Sequence, residues 1–359
     1  EFDFNELREI IDNTKSLKIK RNVAQIDNSS QHIKSNWLMN LARLIALQPN
    51  SDDDLVFSAK IYTLVWESVG PRAFRTKNSQ VTQQHSKTYL DLLLFFDRID
   101  EWHYVLSNLK PLSKNKLITK IDKWHPKLNN SEFGKPQWQL AFNEEFRVNK
   151  LESLTIESSD ESIIDSIDCQ PRRFIDGPLV TVIVSAFNSG PELITSLSSI
   201  CNQTWKNLEI IIVDDASTNT EFIKAGVSID PRITVLTQPE NAGTYAARNL
   251  AISNSRGEYI TTHDSDDWMH PQRIERHVLP MMNDPKLMGT LSRAIRTTPN
   301  LLLSHLGFSP FRQNASSLTF RRDVINEIGF FDNVRKGADS EFDARISAWR
   351  PGSISLVGI

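Results

Sequence analysis

The sequence predicts an α/β domain, with a mostly parallel sheet covered by helices on both faces, preceded by an all-α N-terminal domain. Residues 1 to about 150 carry apolar side chains at helical spacing. After Pro178 the pattern changes to apolar runs that alternate with helical stretches, which is typical of parallel sheets. A chain of 359 residues is also long for one hydrophobic core, so two domains are expected.

The N-terminal domain, predicted at 1–150, is an amphipathic helical bundle. Its clearest apolar stripe lies in residues 54–69 and ends before Gly70, and its members are Leu55, Ala59, Tyr62 and Trp66. Aromatic residues at this spacing more often form a core than a binding groove, so we interpret them as core. A mild excess of basic residues indicates a solvated surface, with peripheral contact to an acidic membrane or a protein partner as the alternative.

Residues 151–178 are predicted to form an acidic linker. From Leu151 to Asp168 the chain carries acids and serines and no basic residue, which is typical of an exposed connection. Several Leu and Ile residues in it are too apolar for a wholly flexible tether, so part of the linker is expected to pack. The α/β domain is predicted to follow at 179–359.

Composition excludes several classes of protein. A formal net charge of -3 gives no reason to expect nucleic-acid binding. Two cysteines, Cys169 and Cys201, cannot build a disulfide framework or a cysteine-rich zinc site, which fits a reducing, cytoplasmic location. No apolar stretch approaches the ~20 residues that a transmembrane helix needs.

Four apolar runs are predicted to be strands of one parallel sheet, and they lie at 179–184, 208–213, 233–236 and 257–261. The helical stretches between and after them lie at about 191–203, 220–226, 244–254 and 271–282. In such sheets, ligands bind beyond the carboxyl ends of the strands. The polar residues at those ends are therefore the candidate site residues.

The first two strands end in polar residues that could contact a nucleotide. Ser185 and Phe187 follow the first strand, without the glycines of a dinucleotide fingerprint or a phosphate-binding loop, so a nucleotidyltransferase is a weak alternative. Asp214 and Asp215 follow the second strand, where a carboxylate can accept hydrogen bonds from a nucleobase or a ribose hydroxyl. The alternative is a turn that caps the next helix.

The fourth strand ends in an acidic cluster, Asp264, Asp266 and Asp267. Repulsion and desolvation make this arrangement costly unless a cation compensates, and carboxylates are ligands that Mg²⁺ or Mn²⁺ prefers. Arg248, on the stretch at 244–254, could bind a diphosphate, or form a structural ion pair with Asp214 or Asp264.

Five ordered motifs carry a resemblance to a known family, and they are VTVIVSAFNSG, EIIIVDDAST, NAGTYAARNLAI, GEYITTHDSDDW and FRRDVINEIGFFD. They resemble the family 2 glycosyltransferases, which have the GT-A fold, over about residues 179–346. The resemblance implies transfer of a sugar, with inversion at the anomeric carbon, from a nucleotide-sugar donor to a glycan or lipid-linked acceptor. A UDP-sugar is the favoured donor.

The resemblance also implies roles for individual residues. Those implied at the donor are Ser185, Phe187, Asp214, Asp215, Arg248, Asp264 and Asp266. Asp266 and Asp267 are assigned to Mn²⁺ or Mg²⁺, although family members differ in the register of this segment. The family commonly has Pro or Thr at Ser185 and Tyr at Phe187, so Phe187 keeps the ring and loses the hydroxyl.

Asp339 is the predicted catalytic base. In RKGADSEFDARI it stands at the spacing at which the family places a catalytic Asp that opens a helix. Most members have Glu before that Asp and this chain has Ala338, so Glu341 stays open as the base. The other alternative for Asp339 is stabilisation of the helix N-terminus.

The sequence thus predicts a cytoplasmic, metal-dependent, inverting glycosyltransferase of bacterial cell-surface polysaccharide synthesis, with the inner face of the membrane as an alternative location. A different class of function stays open, namely a non-catalytic module that binds nucleotide-sugars and docks a partner through its helical domain. Ala338 and the short C-terminus support it, since only 20 residues follow Asp339. The alternative explanation of the short C-terminus is a natural chain that extends beyond Ile359.

Overall fold

The computed structural model describes residues 35–74, 79–109, 119–129, 134–156, 164–304, 306–307 and 309–358. The chain divides into two compact units. The first comprises residues 1–141 and 302–310, and the second comprises residues 142–301 and 311–359. This division does not test the domain boundaries predicted at residues 150 and 178, which remain predictions.

The described part of the first unit is helical, as predicted. Its helices are α1 (Ser35–Leu47), α2 (Asp52–Val69), α3 (Ser79–Phe95), α4 (Ile99–Asn108) and the first half of α5 (Gly134–Val148). Helix α2 begins with three aspartates, which favour the positive end of a helix, and ends at Gly70 with a φ of 68°. Tyr62 and Trp66 are buried in its core, which confirms the interpretation of these aromatic residues.

The first unit also contains a segment from the far end of the chain. Asp122, which is 0% exposed, accepts hydrogen bonds from the backbone N–H groups of Leu303 and Ser304, both at 2.8 Å. The hydroxyl of Ser304 donates to the same carboxylate at 2.6 Å. Leu302 packs in the helical core. Residues 302–304 are therefore an integral part of this unit.

The second unit contains a mixed sheet of seven strands in the order β5-β4-β3-β6-β8-β7-β9. Its strands are β3 (Val180–Ala186), β4 (Leu208–Asp214), β5 (Ile233–Thr237), β6 (Tyr259–Asp264), β7 (Gly289–Ile295), β8 (Phe311–Arg321) and β9 (Ile354–Leu356). Strand β8 is antiparallel to both of its neighbours, and the other pairs are parallel. A separate antiparallel pair is formed by β1 (Thr155–Ile156) and β2 (Ile167–Asp168).

Helices cover both faces of this sheet, because alternate residues of a buried strand point in opposite directions. Val182 and Val184 of β3 pack with α6 (Glu192–Cys201) and α9 (Arg273–Asn283), and α7 (Glu221–Val227) lies on the same face. Ile183 packs with helices of the opposite face, and these are α8 (Thr244–Asn254), α10 (Asp323–Ile328) and α11 (Ala338–Trp349). The predicted fold class is confirmed. Within the described ranges, no helix has both the length and the apolarity to cross a bilayer.

Candidate active site

The carboxyl ends of three adjacent parallel strands bring the predicted site residues together. Strand β3 lies between β4 and β6, and its register places Ser185 beside Asp264 and Ala186 beside Asp214. Clustering at this edge of the sheet is what the sequence predicts.

Asp214 and Asp215 both stabilise loops at this edge. Asp214 accepts a hydrogen bond from the backbone of Ser217 at 2.9 Å, which is the turn offered as an alternative by the sequence. Asp215 is 4% exposed, and its two carboxylate oxygens accept the N–H groups of Ala242 and Gly243, each at 2.8 Å. Asp215 therefore fixes the loop that precedes α8.

The loop after β3 presents an aromatic ring beside this edge. Asn188 has a φ of 49°, and its backbone N–H donates to the hydroxyl of Ser217 at 2.9 Å. Its side-chain oxygen accepts from the N–H of Thr218 at 2.9 Å. These bonds tie the β3 and β4 loops together, and the ring of Phe187 between them remains 50% exposed. An exposed ring at a strand end is available for stacking on a base.

Arg248 is the central residue of the site. It is 2% exposed, and its guanidinium binds Asp264 at 2.9 Å through one nitrogen and Asp339 through the other. The ion-pair alternative is thus confirmed for Asp264, whereas Asp214 bonds to its own turn. Asp339 is an additional partner that the sequence did not indicate. The buried guanidinium of Arg248 therefore joins Asp264, at the end of β6, to the predicted base Asp339.

Asp339 is fixed on both of its oxygens. Tyr245 donates to one oxygen at 2.9 Å and Arg248 to the other. The alternative base, Glu341, instead accepts from Arg345 at 2.8 Å. The hydrogen bond and charge of Arg345 lower the pKa of Glu341. Of the two candidates, Asp339 is the one that contacts other site residues.

The acidic loop, defined as residues 264–267, crowds three carboxylates together. Desolvation, followed by the charges of Asp264 and Asp266, raises the pKa of Asp267 to about 6. Asp267 is an exposed residue, which leaves repulsion by Asp264 and Asp266 as the stronger cause. In the portion of the chain that is described, no three His, Cys, Asp or Glu side chains are arranged to hold a metal ion. Hard oxygen ligands, and a net negative charge that Arg248 offsets only in part, nevertheless suit Mg²⁺ or Mn²⁺.

Sequence reasoning missed three residues that organise the site. Tyr245 precedes Arg248 by three positions, and this helical spacing was a usable signal because both side chains then lie on one face. His263 and Arg273 lie beneath the acidic loop. His263 directly precedes the aspartates, which is a signal of position alone, and Arg273 carries no readable signal.

Replacing Tyr245 by Phe tests the second contact to Asp339. We expect a loss of about 1 kcal/mol in transition-state stabilisation, or about a fivefold fall in turnover, because one hydrogen bond that orients the carboxylate is removed. Turnover is measured as release of nucleotide from the donor. Since the ring stays in place, thermal unfolding serves as the control, and an undiminished rate would contradict the orienting role.

The α/β part of the chain is similar to known proteins. The model of the family "Glycosyl transferase family 2" matches residues 181–338. "Glycosyltransferase GlyA" of Streptococcus pneumoniae is 44% identical over 176 residues, which are 47% of this chain and 23% of that protein. "Putative colanic acid biosynthesis glycosyl transferase WcaA" of Escherichia coli is 39% identical over 101 residues, which are 28% of this chain and 36% of that protein. The chain thus spans less than half of either relative.

Two solved structures show weaker similarity. Staphylococcus aureus TarS 1-349 in complex with UDP is 18% identical with a TM-score of 0.41, covering 49% of this chain and 57% of that one. Mannosyltransferase PcManGT from Pyrobaculum calidifontis, in complex with GDP-Man and Mn2+, is 18% identical with a TM-score of 0.39, covering 66% and 68%. These scores are low, so the assignment rests on the family model and on the sequence relatives. Residues 181–338 of this chain are therefore similar to the family 2 glycosyltransferases.

Proposed function

We propose that the chain is a metal-dependent, inverting glycosyltransferase that moves a sugar from a nucleotide-sugar donor to a hydroxyl group of an acceptor. The observation that carries this proposal is the bridge by Arg248 between Asp264 and Asp339. Arg248 thereby holds Asp264 of the acidic loop and the separate carboxylate of Asp339 in one site. Breaking a glycosidic bond to a diphosphate needs one group at the leaving phosphates and another at the attacking hydroxyl.

The donor nucleotide would lie against the ends of β3 and β4. Phe187 offers an exposed ring for stacking, and Ser185 lies beside it on β3. Asp215 would act chiefly through the loop at 242–243 that it fixes, and its remaining lone pairs could accept from the base or ribose. Asp214 supports the neighbouring turn. We infer a UDP-sugar as the favoured donor.

Asp266 and Asp267 are the residues that would hold Mn²⁺ or Mg²⁺, next to Asp264 at the donor. The ion, when bound, supplies Lewis-acid neutralisation of the charge that develops on the departing diphosphate. Because the described residues offer no complete ligand set, phosphate oxygens of the donor would complete the coordination. The carboxylates of the acidic loop would thereby bind donor and metal together.

Asp339 would accept the proton of the attacking hydroxyl. Tyr245 and Arg248 hold its two oxygens and so fix the direction in which the carboxylate faces the acceptor. One base at the attacking oxygen, with no second nucleophile required, corresponds to a single displacement with inversion. Glu341 would not serve as the base, because its partner Arg345 is not a site residue, whereas both partners of Asp339 belong to the site.

The names of relatives support a role in bacterial polysaccharide synthesis, with a glycan or lipid-linked acceptor. WcaA is named for colanic acid biosynthesis, and a 33% identical protein of Rhizobium meliloti is named for succinoglycan biosynthesis. Cys169 and Cys201 are both free, which is compatible with the reducing cytoplasm in which we place the reaction, including the inner face of the membrane.

A ligand panel tests the proposal. Melting temperatures are measured with UDP-, GDP-, CMP- and dTDP-sugars, with and without Mn²⁺. A ligand at 100 times its dissociation constant stabilises the folded state by about 2.7 kcal/mol, so one nucleotide class should raise the melting temperature when Mn²⁺ is present. The control is the double variant Asp266→Asn, Asp267→Asn, which should lose the part of the melting-temperature shift that depends on Mn²⁺.

Release of nucleotide from the stabilising donor then separates the two classes of function. A glycosyltransferase with an intact site hydrolyses its donor slowly in the absence of acceptor. A module that only binds nucleotide-sugars and docks a partner would show the melting shift without release. If no donor shifted the melting temperature under any condition, the proposal would be wrong.

A further inference from the structure

A network of hydrogen-bonded side chains contacts the end of the acidic loop. His263, at 5% exposure, contacts the backbone carbonyl of Asp267 through Nε2 at 3.1 Å. Its other ring nitrogen, Nδ1, contacts the guanidinium of Arg273 at 3.2 Å. Arg273 also donates to the hydroxyl of Thr261 at 3.1 Å and to the carbonyl of Thr262 at 3.0 Å. This network thus connects the last residues of β6 to the end of the loop.

The contacts determine the direction of each hydrogen bond. A guanidinium has only N–H donors, so Nδ1 of His263 must accept from Arg273. The proton of the neutral ring is then on Nε2, which donates to the carbonyl of Asp267. Arg273 therefore donates a hydrogen bond to His263, and His263 donates one to the carbonyl of Asp267. Each partner fixes the orientation of the next.

Arg273 occupies a position that local energetics disfavour. It is the first residue of α9, where the helix dipole repels a cation. Its Nε is buried and has no hydrogen-bond partner among the described residues. Burial lowers the pKa of Arg273 to about 10, and the charges of Asp267 and Asp264 oppose that effect. A residue that breaks local rules in this way usually serves another purpose, and here the compensating charges belong to the acidic loop.

The loop is also held by the ion pair of Asp264 with Arg248, by a contact at 3.3 Å between the hydroxyls of Ser189 and Ser265, and by two bonds at the carbonyl of Asp264. The N–H of Asp267 donates to the carbonyl of Asp264 at 3.3 Å, a long bond, and Ser196 donates to that same carbonyl at 3.1 Å. Repulsion among the three carboxylates, which Arg248 offsets at Asp264, acts against holding them close together. The hydrogen bond from His263 to the carbonyl of Asp267 opposes that repulsion.

We propose that His263 and Arg273 are positioning residues that hold the backbone of the acidic loop in the conformation that binds donor diphosphate and divalent cation. The proposal rests on the proposed function, because it gives a purpose to the loop geometry. His263 acts through Asp267 and does not touch the ligands. Supporting residues of this kind typically change metal affinity by about 10- to 100-fold when they are replaced.

Two substitutions of His263 separate positioning from simple packing. In His263→Gln, the amide nitrogen lies near the position of Nε2 and can still donate to the carbonyl of Asp267. In His263→Asn, the shorter side chain keeps an acceptor near the position of Nδ1 for Arg273 and cannot reach Asp267. Each variant therefore keeps one bond of His263 and loses the other: Gln keeps the bond to Asp267, and Asn keeps the bond from Arg273.

The first measurement is amide hydrogen exchange in the metal-free protein. Exchange in the peptide that covers residues 264–269 should be about tenfold faster in His263→Asn than in the unsubstituted protein, and nearly unchanged in His263→Gln. The second measurement is the Mn²⁺ concentration that gives half of the UDP-dependent melting shift. It should rise about tenfold in His263→Asn and less than threefold in His263→Gln.

Equal exchange in all three proteins would overturn the proposal, and so would equally fast exchange in both variants, because the latter indicates lost packing. If His263→Asn does not fold, Arg273→Lys replaces it, since Lys keeps the charge and loses the planar fork that reaches both His263 and Thr262. Its exchange in 264–269 should also be faster. A lack of any Mn²⁺ or UDP response in the unsubstituted protein would contradict the proposed function and leave the exchange result as a separate test.

Discussion

Replacing Asp339 by Asn is expected to lower sugar transfer and donor hydrolysis by about 10²- to 10⁴-fold, because the amide cannot accept the proton of the attacking hydroxyl. The substitution is nearly isosteric, so the side-chain oxygen can still accept from Arg248 while the new amide group donates to the hydroxyl of Tyr245. Binding of the donor should persist, since Asp339 is proposed to act on the acceptor. Release of nucleotide measures the rate, and the melting shift with donor and Mn²⁺ measures the binding.

Glu341→Gln is the matched control for this experiment. Glu341 lies two residues further along α11 and accepts from Arg345, so its replacement should leave turnover within about twofold and lower stability slightly. A fall in turnover for Glu341→Gln, with normal turnover for Asp339→Asn, would reverse the assignment of the base.

Replacing Arg248 by Met is expected to destabilise the protein by about 3 kcal/mol, the lower end for removing one partner from a buried ion pair. The lower end applies because Asp264 is partly exposed, with 38% of its side chain accessible. Asp264 and Asp339 would lose their shared cation, and their repulsion would no longer be offset. Donor turnover should fall with stability, since both carboxylates lose their orientation.

Arg248→Lys separates charge from geometry. The ammonium keeps the positive charge, but one nitrogen cannot span two carboxylates as the guanidinium does. We therefore expect most of the stability to return, as measured by urea denaturation, and turnover to remain at least tenfold reduced. Full recovery of turnover in Arg248→Lys would show that the bridge matters only as charge.

The buried half of the sheet was predictable from sequence because parallel strands covered on both faces are nearly continuous apolar runs. The runs at 179–184 and 208–213 correspond to β3 at Val180–Ala186 and β4 at Leu208–Asp214. Strand β8 was not predicted, since its first residues are exposed and polar and thus show no apolar run. Strands β7 and β9 were missed with it.

The residues of the site could be predicted, but their contacts could not. Parallel strand ends gather at one edge, so residue type and position were sufficient to select Asp264 and Arg248. Asp339 is 91 positions from Arg248 along the chain, and only the packing of α11 against the sheet brings the two together. The hydrogen bond from His263 to Asp267 likewise depends on a ring orientation that sequence does not specify.

The carboxylate of Asp122 binds the backbone of residues 303 and 304, so the α/β unit cannot be separated cleanly from the helical unit. Residues 302–310 join β7 to β8 along the sequence, yet they belong to the helical unit. A truncated protein that began after residue 141 would expose the buried side chains of Leu302 and Leu303 and leave their backbone without Asp122. Any exchange of the helical unit of this chain would therefore have to transfer both of its pieces together.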